Sequence, residues 1–137
     1  MTLNNIWVFA QVANGAPTSA TLELLTKARS LSSNVTAIIG GDGASAAALG
    51  EYGATKVYAI NHGASLPGVA IAAALKSVID GGDTPDLIMF PQNYEGRDVM
   101  SRLSVKLDKT VITNNIDITD GGDGVTVVTP IFGGNTL

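Results

Sequence analysis

The sequence predicts an α/β fold in which a doubly wound, mostly parallel sheet carries helices on both of its faces. Two observations support this prediction: four short apolar runs are rich in β-branched and aromatic residues, and a helical segment follows each of them. Strand–helix–strand units of this length require right-handed crossovers, so the strands are expected to be parallel. A chain of 137 residues is also typical of one domain, here residues 1–137.

The first half of the chain predicts two strands, each followed by a helix. The apolar run over residues 6–10 is typical of a central strand covered on both faces. A helix is expected to open at Pro17, Thr18 or Ser19 and to continue to about residue 31. Its apolar face repeats at three-residue spacing and consists of Leu22, Leu25, Ala28 and Leu31. A second strand over 35–39 and an alanine-rich helix over 44–52 follow.

The second half continues the alternation and then departs from it. Strands are predicted over 56–60 and 87–90, and helices over 67–79 and 95–107. After the last helix the pattern becomes extended. Residues 111–118 and 125–132 are joined by a glycine- and aspartate-rich stretch at 120–124, which predicts a hairpin or an edge pair.

Composition excludes several classes of function. Eight basic and twelve acidic residues give a net charge of −4, with no basic cluster that would suit nucleic acid. The apolar runs fall well short of the roughly 20 residues that span a bilayer, and we expect a cytoplasmic protein that is not inserted in a membrane. The absence of cysteine excludes disulfides and thiolate metal sites.

Ligands of doubly wound sheets bind beyond the carboxyl ends of the strands, where the strand order reverses. Four loops are therefore candidates: residues 11–19, 40–45, 61–66 and 91–97. The second contains the spacing G-x-G-x-x-A over residues 41–46, which in dinucleotide folds cradles a pyrophosphate. It follows the second strand, and the next strand ends at Asn61 instead of an acidic residue. We interpret it as a structural turn in which Asp42 or Ser45 caps the helix.

Other signatures of catalysis are missing or have simpler explanations. The phosphate loop G-x-x-x-x-G-K-[ST] and the serine-hydrolase elbow G-x-S-x-G do not occur. His62 is the single histidine and is interpreted as a solvated loop residue. The acid pairs lie in glycine-rich turns, which aspartate favours for its own backbone hydrogen bonds. These pairs are Asp80 with Asp83 and Asp120 with Asp123. We predict no catalytic residue and no metal site.

The loop at 91–97 is the strongest candidate because it is polar, follows the fourth strand and leads into a helix. Gln92 and Asn93 offer amide groups, and Arg97 offers a guanidinium fork, to a partner chain or a ligand edge. An alternative interpretation is that Asn93 only caps the helix and Arg97 pairs with an acidic residue.

Several short motifs along the chain carry a family resemblance. In chain order they are residues 7–10 (WVFA), 53–57 (GATKV), 91–98 (PQNYEGRD), 102–103 (RL), 107–108 (LD), 117–118 (DI), 129–131 (TPI) and 134–135 (GN). In order and spacing they resemble the amino-terminal domain of the alpha subunit of electron transfer flavoproteins. The resemblance covers essentially the whole chain, and the chain is expected to continue past Leu137 into a second domain.

The resemblance implies a heterodimer of alpha and beta subunits that carries electrons and performs no bond chemistry. The holoprotein would take electrons from acyl-CoA dehydrogenases of fatty acid β-oxidation and related dehydrogenases, and pass them to a quinone oxidoreductase. FAD would be held mainly by the second domain, so no cofactor is expected in this fragment, which would act as scaffold and subunit interface.

The resemblance also suggests which residues meet the beta subunit or the second domain. The candidate interface residues are Gln92, Asn93, Tyr94, Glu95, Arg97, Phe132, Gly134 and Asn135. Two alternatives stay open. The first is a stand-alone adenine nucleotide-binding module, because the fold also resembles the adenine nucleotide alpha hydrolase group. The loops lack the phosphate signatures of that group, so we expect no tight nucleotide binding. The second alternative is a small enzyme that acts through His62.

Overall fold

The computed structural model describes residues 3–136, so the predicted limits of the domain, Met1 and Leu137, lie outside the described residues. The strands are β1 (Ile6–Phe9), β2 (Val12–Ala13), β3 (Ala16–Pro17), β4 (Val35–Gly40), β5 (Lys56–Ile60), β6 (Leu87–Met89), β7 (Asp117–Asp120) and β8 (Val125–Val128). The α-helices are α1 (Ser19–Leu31), α2 (Ala46–Glu51), α3 (Pro67–Asp80) and α4 (Tyr94–Leu107), and a 3-10 turn covers Phe132–Gly134.

Four parallel strands form the main sheet in the order β5-β4-β1-β6. The central strand β1 pairs with β4 on one side and with β6 on the other, so that Val8 lies between Ala37 and Met89. All four residues of β1 are buried, as its continuous apolar run predicted. The doubly wound α/β prediction is confirmed.

Alternate strand residues divide the core into two layers, because successive side chains of a strand point to opposite faces. On one face the sheet packs against α1 and α2, through Ile6, Val8, Ala37, Leu25, Ala28 and Leu49. On the other face it packs against α3 and α4, through Trp7, Phe9, Ile38, Ile71, Leu75, Val99 and Leu103. Helices therefore cover both faces of the sheet.

The helices follow the prediction closely, with two differences. Helix α2 begins at Ala46 instead of residue 44, because the preceding residues form a turn in which Ala46 donates to the Gly43 carbonyl. In α1, Leu25 and Ala28 are fully buried as predicted, but Leu22 and Leu31 are only half-buried.

The extended region after α4 is a hairpin, but its bounds differ from the prediction. Strand β7 begins at Asp117, and β7 and β8 form a separate antiparallel sheet of two strands. The hairpin packs on α1 through the half-buried Ile118 and Val125 and through an ion pair of 2.6 Å between Lys27 Nζ and Asp117 Oδ1. That ion pair lowers the pKa of Asp117. The prediction of a hairpin is confirmed. The predicted extended segment at 111–118 is wrong over 111–116, and the one at 125–132 is wrong over 129–132, because β8 ends at Val128.

A polar cluster closes the amino end of the sheet. Asp83, in the loop after α3, accepts hydrogen bonds from Lys56 Nζ at 2.7 Å, from the Tyr58 hydroxyl and from Asn5 Nδ2 at 3.1 Å. The bond from Lys56, followed by that from Tyr58, lowers the pKa of Asp83, and the bond to Asp83 raises the pKa of Lys56. The cluster ties the edge strand β5 to the loop between α3 and β6.

We expect Asp83→Asn to lower the free energy of unfolding near neutral pH, with a difference from the wild type that shrinks as the medium becomes acidic. The folded pKa of Asp83 lies below its unfolded value, so its stabilisation is complete above the unfolded pKa of about 4 and is lost as the pH falls through the folded pKa. The pKa of Lys56 is raised in the folded state, so the stability it contributes is complete below its unfolded pKa and is lost only as the pH rises into the alkaline range.

Urea unfolding from about pH 7 to about pH 3, followed by the fluorescence of the single and fully buried Trp7, measures this dependence. Asp123→Asn is the matched control, because Asp123 is exposed in the turn of the β7–β8 hairpin. A difference between Asp83→Asn and the wild type that stays constant across this range would contradict the prediction.

Candidate functional site

The strand order reverses between β1 and β6, since the chain moves outward from β1 to β4 and β5 and then returns to the other side of β1. The segments that leave the carboxyl ends of β1 and β6 therefore meet at one crevice, which is where ligands of this fold class bind. The crevice lies between residues 10–18 and residues 90–97. The prediction that residues 91–97 lie at the reversal point is confirmed.

The first wall of the crevice is a small hairpin formed by β2 and β3. Asn14 and Gly15 occupy its turn with φ values of 53° and 78°, as a tight two-residue hairpin turn requires. Residues 11–19 therefore contain a hairpin instead of the predicted loop, and the Asn-Gly pair is the local signal for it.

Thr21 holds this hairpin in place. Its buried hydroxyl accepts a hydrogen bond from the Gln11 backbone N–H at 2.7 Å and donates one to the Gln11 carbonyl at 3.0 Å. Thr18 caps α1 and donates its own N–H to the same carbonyl at 3.0 Å. The backbone at Gln11 is thereby fixed to the first turn of α1.

The second wall is the start of α4. Asn93 Oδ1 accepts the Gly96 N–H at 2.9 Å, so the predicted cap is confirmed. Gly96 is buried, and a Cβ atom there would clash with the carbonyl oxygen of Pro91. Only glycine allows the turn from β6 into α4 to close this tightly.

Side chains from the two walls bridge the crevice. Gln11 Nε2 donates to Glu95 Oε2 at 3.0 Å, and Gln11 Oε1 accepts from Asn93 Nδ2. Glu95 lies in the first turn of α4, where the helix dipole favours a negative charge. The Glu95 carboxylate thus brings a negative charge to the first turn of α4, and this charge opposes the binding of a dinucleotide phosphate at the helix N-terminus.

A separate groove lies beside the crevice, between α4 and the segment that follows it. It has a volume of about 450 Å³, and we call it the Arg97 groove. Its lining residues are Gln92, Arg97, Met100, Ser101, Thr113 and Asn114. Arg97 is exposed, and none of the four ion pairs found among residues 3–136 includes it. For this part of the chain, the alternative that Arg97 pairs with an acidic residue is wrong.

The candidate interface residues fall into two groups, and no hydrogen bond joins the groups within residues 3–136. The first group lines the crevice and the Arg97 groove: Gln92, Asn93 and Glu95 make hydrogen bonds within the domain, whereas Tyr94 is 93% exposed. The second group lies in the turn after β8, and it consists of Phe132, Gly134 and Asn135.

The turn after β8 holds its aromatic residue in an unusual conformation. Phe132 is 79% exposed with a φ of 50°, and Gly133 and Gly134 follow with φ values of 67° and 90°. Asn135 Nδ2 donates to the Phe132 carbonyl at 3.0 Å, and the Ile131 N–H donates to the Thr136 carbonyl at 2.7 Å. The turn is therefore closed by its own hydrogen bonds with the Phe132 ring in solvent.

The remaining candidates have structural roles. His62 follows the edge strand β5, away from the reversal point, and its Nδ1 lies 3.0 Å from the Ser65 carbonyl. Asp42 accepts the Ala44 N–H at 3.0 Å, whereas Ser45 occupies the cap position of α2 without a side-chain cap bond. Asp80 pairs with Lys76 at 2.6 Å, and Asp120 accepts the Gly122 N–H at 2.8 Å.

Within residues 3–136, no group of three or more histidine, aspartate or glutamate residues has a geometry that would hold a metal ion. No helix in this described part of the chain is both long enough and apolar enough to cross a bilayer.

Comparison with known proteins agrees with the motifs. The family model of the electron transfer flavoprotein domain matches residues 6–137. The chain is also similar to the electron transfer flavoprotein subunit alpha of Syntrophomonas wolfei subsp. wolfei (strain DSM 2245B / Goettingen), with 30% identity over 136 residues. This similarity covers 96% of the chain but 42% of that relative, so the chain spans about two fifths of the relative's length.

Proposed function

The chain belongs to the electron transfer flavoprotein family, and on that premise we propose that it is the amino-terminal domain of an alpha subunit that pairs with a beta subunit. The heterodimer would bind FAD and carry electrons, without bond chemistry in this domain. The observation that supports this proposal most directly is the match of the family model to residues 6–137, together with the alpha-subunit relative.

We further propose that residues 3–136 serve as scaffold and interface, while FAD is held elsewhere in the heterodimer. The crevice between β1 and β6 supports this division, because the Gln11 amide bridges it and the Glu95 carboxylate occupies the start of α4.

The wider assignment rests on family membership. Electrons would come from acyl-CoA dehydrogenases of fatty acid β-oxidation and related dehydrogenases, and would pass to a quinone oxidoreductase, with the heterodimer in the cytoplasm. The interface with the beta subunit or the second domain would use the two groups of residues at 92–97 and 132–135.

Co-purification with a beta subunit tests the proposed function. The chain, within whatever native sequence surrounds it, is co-expressed with a tagged beta subunit, and the complex is examined for stoichiometry and for flavin absorbance. We expect a heterodimer with bound flavin. Failure of the wild-type chain to associate with the beta subunit would overturn the proposal.

Nucleotide titration separates this function from a stand-alone adenine nucleotide-binding module. We expect calorimetry to show no micromolar binding of AMP or ATP to the chain alone, because Glu95 opposes a phosphate at the reversal point. Micromolar binding that Glu95→Gln strengthens would place the nucleotide in this crevice and favour the alternative function.

A further inference from the structure

The Arg97 groove has two walls that come from segments on either side of α4. Arg97, Met100 and Ser101 lie on α4 itself, whereas Thr113 and Asn114 come from the segment after it. Gln92 Nε2 donates to Asn114 Oδ1 at 2.9 Å and so ties the loop before α4 to the segment after it. The groove is thus fixed by a specific side-chain contact.

The hydrogen-bonding capacity left in the groove consists mainly of donors. Among residues 3–136, no hydrogen bond uses the Arg97 guanidinium or Asn114 Nδ2, and the Gln92 amide nitrogen has a second N–H to give. The Ser101 hydroxyl donates to the Arg97 carbonyl at 2.7 Å, so its oxygen is one of the fewer acceptors that remain. The others are Gln92 Oε1 and the Thr113 hydroxyl, which no hydrogen bond among residues 3–136 uses. No carboxylate lines the groove. A negatively charged acceptor matches this set of groups.

The backbone favours the same arrangement. Asn114 has a φ of 62°, a conformation that asparagine tolerates better than most residues. Thr113 and Asn114 line the groove together with residues of α4. Within the helix, Tyr94, Arg97 and Ser101 have the i, i+3, i+7 spacing that places residues on one face. An exposed aromatic ring therefore lies on the same helix face as the guanidinium.

We propose that the Arg97 groove receives a carboxylate side chain, Asp or Glu, of the beta subunit; this inference rests on the proposed function. The guanidinium fork accepts a carboxylate through two parallel hydrogen bonds. Met100 offers an apolar surface to the methylene part of the incoming side chain. The single positive charge of Arg97 neutralises the single negative charge of a carboxylate, whereas a phosphate dianion in the groove would retain a net negative charge. Arginine and tyrosine are also the residue types that dominate binding energy at interfaces.

Assembly measurements on three variants test the proposal. Arg97→Gln removes the charge and the fork, and we expect it to raise the Kd of the alpha–beta complex about 30-fold or more, the usual effect of truncating one partner of a desolvated charge pair. Arg97→Lys keeps the charge without the fork, and a smaller loss is expected. Lys106→Gln is the matched control, because Lys106 is exposed on the same helix but does not line the groove, and it should leave Kd within about 3-fold.

The possible outcomes test the carboxylate contact at Arg97 separately from the formation of the heterodimer. If the wild-type chain binds the beta subunit and Arg97→Gln binds equally well, the carboxylate proposal is overturned and the heterodimer stands. If Arg97→Gln and Lys106→Gln weaken binding equally, the effect is one of net charge and the proposal also fails. Unchanged Trp7 fluorescence in the variants shows that each has kept its fold.

A second experiment tests whether the groove binds a carboxylate of a protein partner or a free small anion. Acetate and inorganic phosphate are titrated into the wild-type chain. We expect no saturable binding below about 1 mM, because a single guanidinium in an open groove holds a small anion weakly. Tighter binding of either anion that Arg97→Gln abolishes would assign the groove to a small-molecule ligand instead of the beta subunit.

Discussion

Gly96→Ala is expected to lower the free energy of unfolding by about 3 kcal/mol, the upper part of the range for inserting a methyl group into a packed site. An added Cβ at this position clashes with the carbonyl oxygen of Pro91, which is backbone and has no rotamer to escape into. The Gly96 N–H is also held by Asn93 Oδ1 at 2.9 Å. Relief of the clash therefore has to open the turn between β6 and α4.

Gly50→Ala is the matched control, because Gly50 lies inside helix α2 with no atom within 4 Å of the position of an added Cβ. That substitution should be neutral or stabilise the chain by up to about 1 kcal/mol, the helix preference of alanine over glycine. Urea unfolding followed by Trp7 fluorescence measures both. Equal stability of the two variants would show that the turn yields easily, and the assigned role of Gly96 would be wrong.

Leu75→Ala is expected to cost about 3 kcal/mol, within the range of 2 to 5 for a leucine deleted from a core. Leu75 is fully buried in α3 and belongs to the layer between the sheet and the α3–α4 pair. The same cluster contains the large rings of Trp7 and Phe9 in the central strand, and we expect these rings to limit how far the site can collapse.

Leu66→Ala provides the comparison, since Leu66 precedes the same helix but is 76% exposed. We expect its unfolding free energy to stay within about 0.5 kcal/mol of the wild type. A Leu75→Ala variant as stable as Leu66→Ala would contradict the assignment of a tightly packed layer between β1 and α3.

The main strands and helices were predictable because their signals are local. The β1 run is apolar at every position since both of its faces are covered. Thr18 and Asn93 cap their helices through bonds to residues three positions ahead. Where the wrong bounds were predicted, the deciding contact was distant: Val111 and Ile112 have strand character, but strand pairing begins only at Asp117, opposite Val128.

The sequence predicted where the candidate site lies in the fold, but only some of the side-chain contacts within it. The rule for strand reversal directed attention to the loop after β6, and the motif around Arg97 marked the same residues. The bridge from Gln11 to Glu95 joins residues 84 positions apart in the chain, and no spacing in the sequence encodes it. The candidate interface was treated as one set, whereas the turn at Phe132 follows a different hairpin from the loop at Arg97.

The β7–β8 hairpin has its own consequence for the dynamics of the chain. Its hydrogen-bonded ladder is separate from the main sheet, and its attachment to α1 consists of one half-exposed ion pair and a few half-buried side chains. A ribbon of two strands is marginally stable alone. We therefore expect the hairpin to open and reclose as one cooperative unit while β1 and β4 stay intact, and the turn that bears Phe132 to move with it.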